Sequence, residues 1–332
     1  MKASRKIYFL LLVNLVLFAF TLILIEGAFR FIGIPYSRHA YIPSENSLAR
    51  FDPKLGWSYI PNKSAVLEAG DGAIKKPAFF DENGFRVPRA GFKLSYTRPS
   101  IIFIGDSFTM GHGLSYEESF VGRFSSLKEM PFQTVNMGVQ GYGSDQALLT
   151  LKKYLTKFNA KVVVYTFIED HILRNGNYDR RMLIPTAKFL GTKPKLALNN
   201  KGELYIQKEP LLYKDYTHSY LLDFLKIRIG SLLGSFPPYP EKLTKEIILE
   251  MKRYSNEHGA HFVVVDWRWS KKDYDKLFKN LDVDVIDTME NAPAGWGNMV
   301  ILKGVHPNAD ASAHVDELLL RYLYKHNLFA VN

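Results

Sequence analysis

The sequence predicts an α/β protein: a three-layer α/β/α sandwich around a parallel sheet, preceded by one N-terminal transmembrane helix. Three observations predict it. From Ser100 onward, short β-branched and aromatic runs alternate with stretches of helical period, as in a parallel sheet covered by helices on both faces. The run KVVVYTF (161–167) lacks polar alternation and fits a strand buried on both sides. The apolar segment IYFLLLVNLVLFAFTLILI (7–25), at about 1.5 Å per residue, is long enough for a hydrocarbon core about 30 Å thick.

Taken in order, Lys2, Arg5 and Lys6 precede that apolar run and favour a cytoplasmic N-terminus, with everything after Ile25 outside. A cleaved signal peptide is the competing reading. The run is long for one, however, and the following EGAFRFIG lacks a small-x-small cleavage site. Residues 1–27 are therefore read as the cytoplasmic N-terminus and the membrane anchor. Residues 28–99 hold turn signals and short aromatic runs, such as FDPKLGWSYIPN and FFDENGFRVP. They predict a membrane-proximal segment of short strands and loops.

Residues 100–332 predict the main domain. IIFIG and TVNMG read as strands, SDQALLTLKKYLTKF as an amphipathic helix, and KVVVYTF as the next strand. Residues 172–240 are irregular, rich in Tyr, Leu and Lys, and predict an insertion. The alternation resumes with EKLTKEIILEMKRYSNEHG as helix, AHFVVVDW as strand and KKDYDKLFKNL as helix. DVDVID then reads as a strand and NADASAHVDELLLRYLYKH as the last helix.

At 332 residues with 47% hydrophobic content, the chain has ample material for one main core. It contains no Cys, which excludes disulfides, thiolate metal sites and cysteine nucleophiles. The formal charge of +10 is spread along the chain. It accompanies no recognisable nucleic-acid module, and fits a surface facing anionic glycans or lipid headgroups equally well.

Ligands of an open parallel sheet bind beyond the carboxyl ends of its strands, so each strand exit is a candidate site. The exits supply Gly105-Asp106-Ser107, then Asn136 to Gly141, then Glu169-Asp170-His171, then Asp266, and last Gly304 to Asn308. Ser107 and His306 would make a nucleophile and its base if the sheet brings them together. Amides of Ser107 and of the Gly138–Gly141 turn would then face an oxyanion. Read singly, each piece has a plainer use: Ser107 as a helix cap, Ser144 as the cap after the glycine turn, Asn308 or Asp310 as the cap of the last helix. Asp170 and His171 are adjacent and lack a further His/Asp cluster, too few ligands for a metal site.

In that order, the motifs IGDSFTMG, NMGVQGYG and GVHPNADASAHV resemble the SGNH (GDSL-type) hydrolases over about residues 100–326. The LGW and NGFR segments resemble those of membrane-anchored bacterial members. The resemblance implies a flavodoxin-like sandwich, Ser107 as nucleophile, His306 as general base, and an oxyanion hole at Ser107 and Gly141. It implies no metal and no organic cofactor. Two positions depart from the family pattern. Glu169 stands where an Asn donor is expected, and Lys303 where an Asp normally orients the histidine. A replacement acid could come from Asp170, Asp266 or Asp310, and Glu169 could donate if burial kept it protonated.

The expected protein is thus an esterase or acyltransferase of the bacterial inner membrane, single-pass, with its main domain periplasmic. It would act on acyl esters of envelope carbohydrate, O-acetyl groups foremost, beside envelope polysaccharide biosynthesis proteins, with no nucleic-acid partner. A catalytically degenerate glycan-binding scaffold and a lipase or lysophospholipase are the alternatives. The Tyr-rich LLYKDYTHSYLL suits sugar stacking or core packing.

Overall fold

The structure, a computed structural model, describes residues 2–32, 48–69, 72–127, 130–180, 183, 191–212, 219–232, 240–270, 277–301 and 306–329. Helix α1 (Lys2–Ile32) is followed by strands β1 (Ala49–Asp52), β2 (Gly56–Tyr59), β3 (Ser64–Ala69), β4 (Ile74–Phe80), β5 (Arg86–Val87) and β6 (Pro99–Ile104). Next come α2 (Ser107–Met110), α3 (Phe120–Ser125), β7 (Gln133–Asn136), α4 (Ser144–Tyr154), β8 (Asn159–Phe167) and α5 (Asp170–Gly176). The remainder is β9 (Lys195–Leu198), β10 (Leu204–Lys208), α6 (Tyr220–Leu232), α7 (Pro240–Glu257), β11 (His261–Asp266), β12 (Asp284–Asp287) and α8 (Ala309–Lys325).

The central sheet has the order β12-β11-β8-β6-β7-β5-β4-β3. Strands β12, β11, β8, β6 and β7 are parallel. In chain order their arrangement is the 2-1-3-4-5 winding of flavodoxin-like folds, with the switch point between β6 and β8. Side-chain alternation makes the layers. On β6, Ile102 and Ile104 enter the core beneath α4 and α7, with Leu148, Leu151, Ile247, Ile248 and Met251. Ile101 and Phe103 face the other way, against Phe120 and Phe124 of α3 and Val315, Leu319 and Leu323 of α8. Burying each such side chain contributes roughly 1.5–3 kcal/mol.

The departure from an all-parallel sheet lies at one edge. Strands β3, β4 and β5, from the segment read as membrane-proximal, extend the sheet antiparallel, with Arg86 of β5 paired to Asn136 of β7. The reason is packing: Leu67, Ala78 and Phe80 join Trp57, Tyr59, Met110 and Tyr142 in a third core cluster. Within the region read as an insertion, β9 and β10 form a separate two-stranded sheet. Of the helix expected over 271–281, the described part, 277–281, forms turns; residues 271–276 lie outside the described residues.

Within helix α1, the candidate membrane span Arg5–Ile32 contains an 18-residue window of mean hydropathy 2.7. It is long and apolar enough to cross a membrane as an anchor or to serve as a signal sequence.

Candidate active site

Strand β6 ends at Ile104, and the chain turns through Gly105 into α2, whose amino-terminal cap is Asp106. The Phe108 N–H donates to the Asp106 carboxylate at 2.9 Å. Capping therefore falls to Asp106, not to Ser107 as the plainer reading had it. Ser107 is the first helical residue, and its Oγ lies 2.8 Å from Nε2 of His306. His306 comes from the loop before α8. That loop is tied to residues 299–301 by the Ile301 N–H donating to the His306 carbonyl and the Asn308 N–H donating to the Met299 carbonyl. Asn308 caps α8 by accepting from the Ala311 N–H at 2.9 Å.

The exit of β7 packs directly on the serine turn. A Cβ on Gly138 would lie 2.4 Å from the Met110 nitrogen, so only glycine allows this approach. Gly141 follows in the left-handed region, φ +79°. Its position is fixed by β2: the Trp57 indole N–H donates to the Gln140 carbonyl at 3.0 Å, and the Gln140 N–H donates to the Tyr59 hydroxyl at 3.0 Å. Among the described residues, the amides of Ser107 and Gly141 donate to no protein acceptor. Ser144 is the first residue of α4 rather than its cap, which is Gly143. The Ser144 hydroxyl accepts from Tyr165 and from Asn175 instead.

Beneath the serine lies a buried polar cluster in which Asp106 and His171, both named as strand-exit residues, meet Arg174, which sequence reasoning passed over. Arg174 of α5 donates to Asp106 at 2.7 Å and to the Tyr142 carbonyl at 2.9 Å. His171 is fully buried, its Nδ1 2.7 Å from the Tyr165 hydroxyl and its Nε2 3.4 Å from Asp106. Burial alone would raise the Asp106 pKa; His171, Arg174 and the Phe108 amide outweigh it and hold the carboxyl below its ordinary range. Farther along α4, Asp145 and Lys193 form a fully buried ion pair. The Arg86 guanidinium donates to the carbonyls of Met110, Gly111 and Leu114, holding the loop that follows Ser107. Its burial brings its pKa down to about 10.

The imidazole of His306 is pushed below its ordinary pKa, chiefly by burial; Asp106 counters the effect and Arg174 adds to it. His112, from the loop after α2, packs with its ring centroid 4.6 Å from that of His306. Burial, then the charges of His306 and Arg86, push His112 down to about 4. At neutral pH two neutral imidazoles therefore pack against each other, one of them on Ser107 Oγ. The signal for His112 was in the sequence, since it lies five residues after the serine, but a lone histidine in a loop carries no pattern.

The proposed orienting acids do not reach His306. Asp170 accepts from Arg174 at 3.1 Å, Asp266 forms an ion pair with Arg268 at 3.3 Å, and Asp310 is exposed in the first turn of α8. Among the described residues, no carboxylate is hydrogen-bonded to His306. Glu169 stands at the N-cap position of α5 without a side-chain capping hydrogen bond and is exposed, so it lacks the burial on which the donor role rests. Lys303 lies outside the described residues.

The sequence matches no protein-family model and no curated protein. Solved structures to which the chain is similar include a GDSL-like lipase from Bacteroides thetaiotaomicron, at 12% identity and TM-score 0.38, covering 68% of this chain and 88% of that one. The psychrotrophic esterase EstA from Pseudoalteromonas, in a structure inhibited by monoethylphosphonate, is 14% identical with TM-score 0.39, over 68% and 97% of the two chains. A putative lipolytic protein of the G-D-S-L family from Desulfitobacterium hafniense is 11% identical with TM-score 0.38, over 67% and 98%.

Proposed function

We propose that the protein is a membrane-anchored serine hydrolase of the SGNH type, an esterase or acyltransferase working outside the cytoplasm through an acyl-serine. The single observation that carries this reading is the 2.8 Å approach of His306 Nε2 to Ser107 Oγ. A neutral imidazole at that distance takes the hydroxyl proton as Oγ attacks an ester carbonyl. The amides of Ser107 and Gly141 receive the developing oxyanion. His306 then returns the proton to the departing alkoxide, leaving an acyl-serine. Water completes hydrolysis; a sugar hydroxyl in its place completes transfer.

O-acetyl esters of envelope carbohydrate are the preferred substrate class, because the LGW and NGFR segments resemble those of anchored members that accompany polysaccharide synthesis. Envelope polysaccharide biosynthesis proteins are the corresponding partners. A second reading, a glycan-binding scaffold without turnover, draws on the missing carboxylate at His306 among the described residues and on the exposed Glu169. Full-length protein in detergent, assayed for p-nitrophenol release from p-nitrophenyl acetate, separates the two. The enzyme reading expects turnover that Ser107→Ala lowers about 1000-fold or more. Equal, background-level rates in both folded proteins, with retained polysaccharide binding, favour the scaffold. Turnover that appears only with a sugar acceptor identifies a transferase.

A further inference from the structure

Helix α6 has two apolar faces. One turns inward, with Ile227 only 2% exposed and Asp223 buried beside it. The other consists of Leu222, Leu225, Ile229 and Leu232, which are 67, 43, 52 and 84% exposed. At about 100° per residue these four fall within a stripe about 80° wide, opposite Ile227. Lys226 and Arg228 flank the stripe on its two sides. An outward apolar stripe between two cations is the pattern of a helix lying in a membrane interface, its aliphatic side chains in the acyl boundary and its cations at the phosphates.

The neighbour of α6 specifies the occupant. Glu26 of α1 accepts from the Tyr220 and Leu221 N–H groups and from the Ser219 hydroxyl, at 3.0, 2.8 and 2.8 Å, and so caps the amino terminus of α6. Phe29 of α1 meets Phe224 of α6 edge to face at 5.1 Å, and Arg30 lies over the Tyr220 ring. Glu26 directly follows the apolar run that ends at Ile25. Helix α6 is thus fastened to α1 at the first charged residue after the continuous apolar run.

We propose that α6 docks on the surface of a phospholipid bilayer beside the anchor, inserting Leu222, Leu225, Ile229 and Leu232 among the lipids and fixing the domain against the membrane. This rests on the reading of α1 as a membrane anchor. The chain has no native Cys, so single cysteines label one site each. Full-length Leu225→Cys, Ile229→Cys, Leu15→Cys and Arg321→Cys, each carrying an environment-sensitive fluorophore, are reconstituted into vesicles of phosphatidylcholine with one-quarter phosphatidylglycerol. Some of the lipids carry acyl-chain quenchers at defined depths.

Leu15 on α1 reports the anchor, and Arg321 on the exposed face of α8 reports water. The expected result is deep quenching at Leu15, and shallow quenching at Leu225 and Ile229 at least about twofold above Arg321. Quenching at Leu225 and Ile229 equal to that at Arg321, with Leu15 quenched, overturns the proposal while leaving the anchor intact. An unquenched Leu15 overturns the anchor reading and the proposal with it. A blue shift at Leu225 and Ile229 without lipid quenching, lost in nanodiscs holding one chain each, overturns it in favour of a second copy covering the stripe.

Discussion

His306 Nε2 and Ser107 Oγ lie 2.8 Å apart although 199 positions separate them in sequence. The sheet provides the meeting point: Ser107 leaves the central strand β6 at the switch point, and the chain returns over the same edge just before α8.

His306 can accept the serine proton only when neutral. Its folded-state pKa lies below the ordinary 6.5, owing first to burial. Activity is lost as pH falls and the imidazole protonates, so the acid limb of kcat/KM should be centred below pH 6.5. A pH–rate profile with its lower midpoint at or above 6.5 would contradict this.

Trp57 and Tyr59 hold the two backbone polar groups of Gln140, and through them the Gly141 amide. Tyr59→Phe removes one of these holds and leaves the ring in the core. The expected change is a fall in kcat of about tenfold with KM within about twofold, since the interaction serves the transition state. A change confined to KM would assign Tyr59 to substrate binding.

Arg86 is 1% exposed and donates to the carbonyl of Met110, at the end of α2, and to two carbonyls of the loop that follows. Arg86→Met keeps much of the volume but leaves those acceptors without their donor. Urea unfolding should register a loss of about 3–5 kcal/mol. Loss below about 1 kcal/mol would mean that water replaces the guanidinium.

Asp316 of α8 is 8% exposed, and its pKa is raised to about 7, mainly by burial, with Arg123 only partly countering. The folded protein therefore binds this proton more tightly than the unfolded chain, and stability falls as pH rises from about 4 to about 7. Asp316→Asn should stabilise by on the order of 2 kcal/mol at pH 8 and by almost nothing near pH 3. Thermal unfolding at the two pH values checks both halves.

Much of this was legible in the sequence where period and composition agree. KVVVYTF and AHFVVVDW are continuous β-branched runs, and they became β8 and β11. The helix from Pro240 repeats apolar residues with helical spacing, and it packs where that period puts it. Strands β3 to β5 were read as short strands, yet nothing local placed them in the main sheet. Strand β5 is too short to declare a partner, and its place in the main sheet depends on Arg86 pairing with Asn136, 50 positions along the chain. Within the site, Ser107 and His306 stood out because they occupy strand exits. Arg174 did not, because its neighbours on α5 give no sign that the guanidinium turns inward to Asp106. Asp170 and Asp266 are candidate acids because they lie at strand exits, but each is held by an arginine, and Asp310 lies exposed, which only the tertiary arrangement determines.

The antiparallel edge has a consequence for biogenesis. In a chain synthesised from its amino end, β3, β4 and β5 emerge before the strand that will receive them. Strand β5 ends at Val87, and its partner β7 begins only at Gln133. During that interval the meander offers an open edge to any strand nearby, its own or a neighbour's. Chains arrested before Gln133 should leave residues 64–87 open to protease, and chains arrested well past Asn136 should protect them. The outer strand β3 exposes Ser64, Val66 and Glu68, with Glu68 paired to Lys75. Charge on that outer margin discourages association there, while β5 keeps its own edge open until β7 arrives.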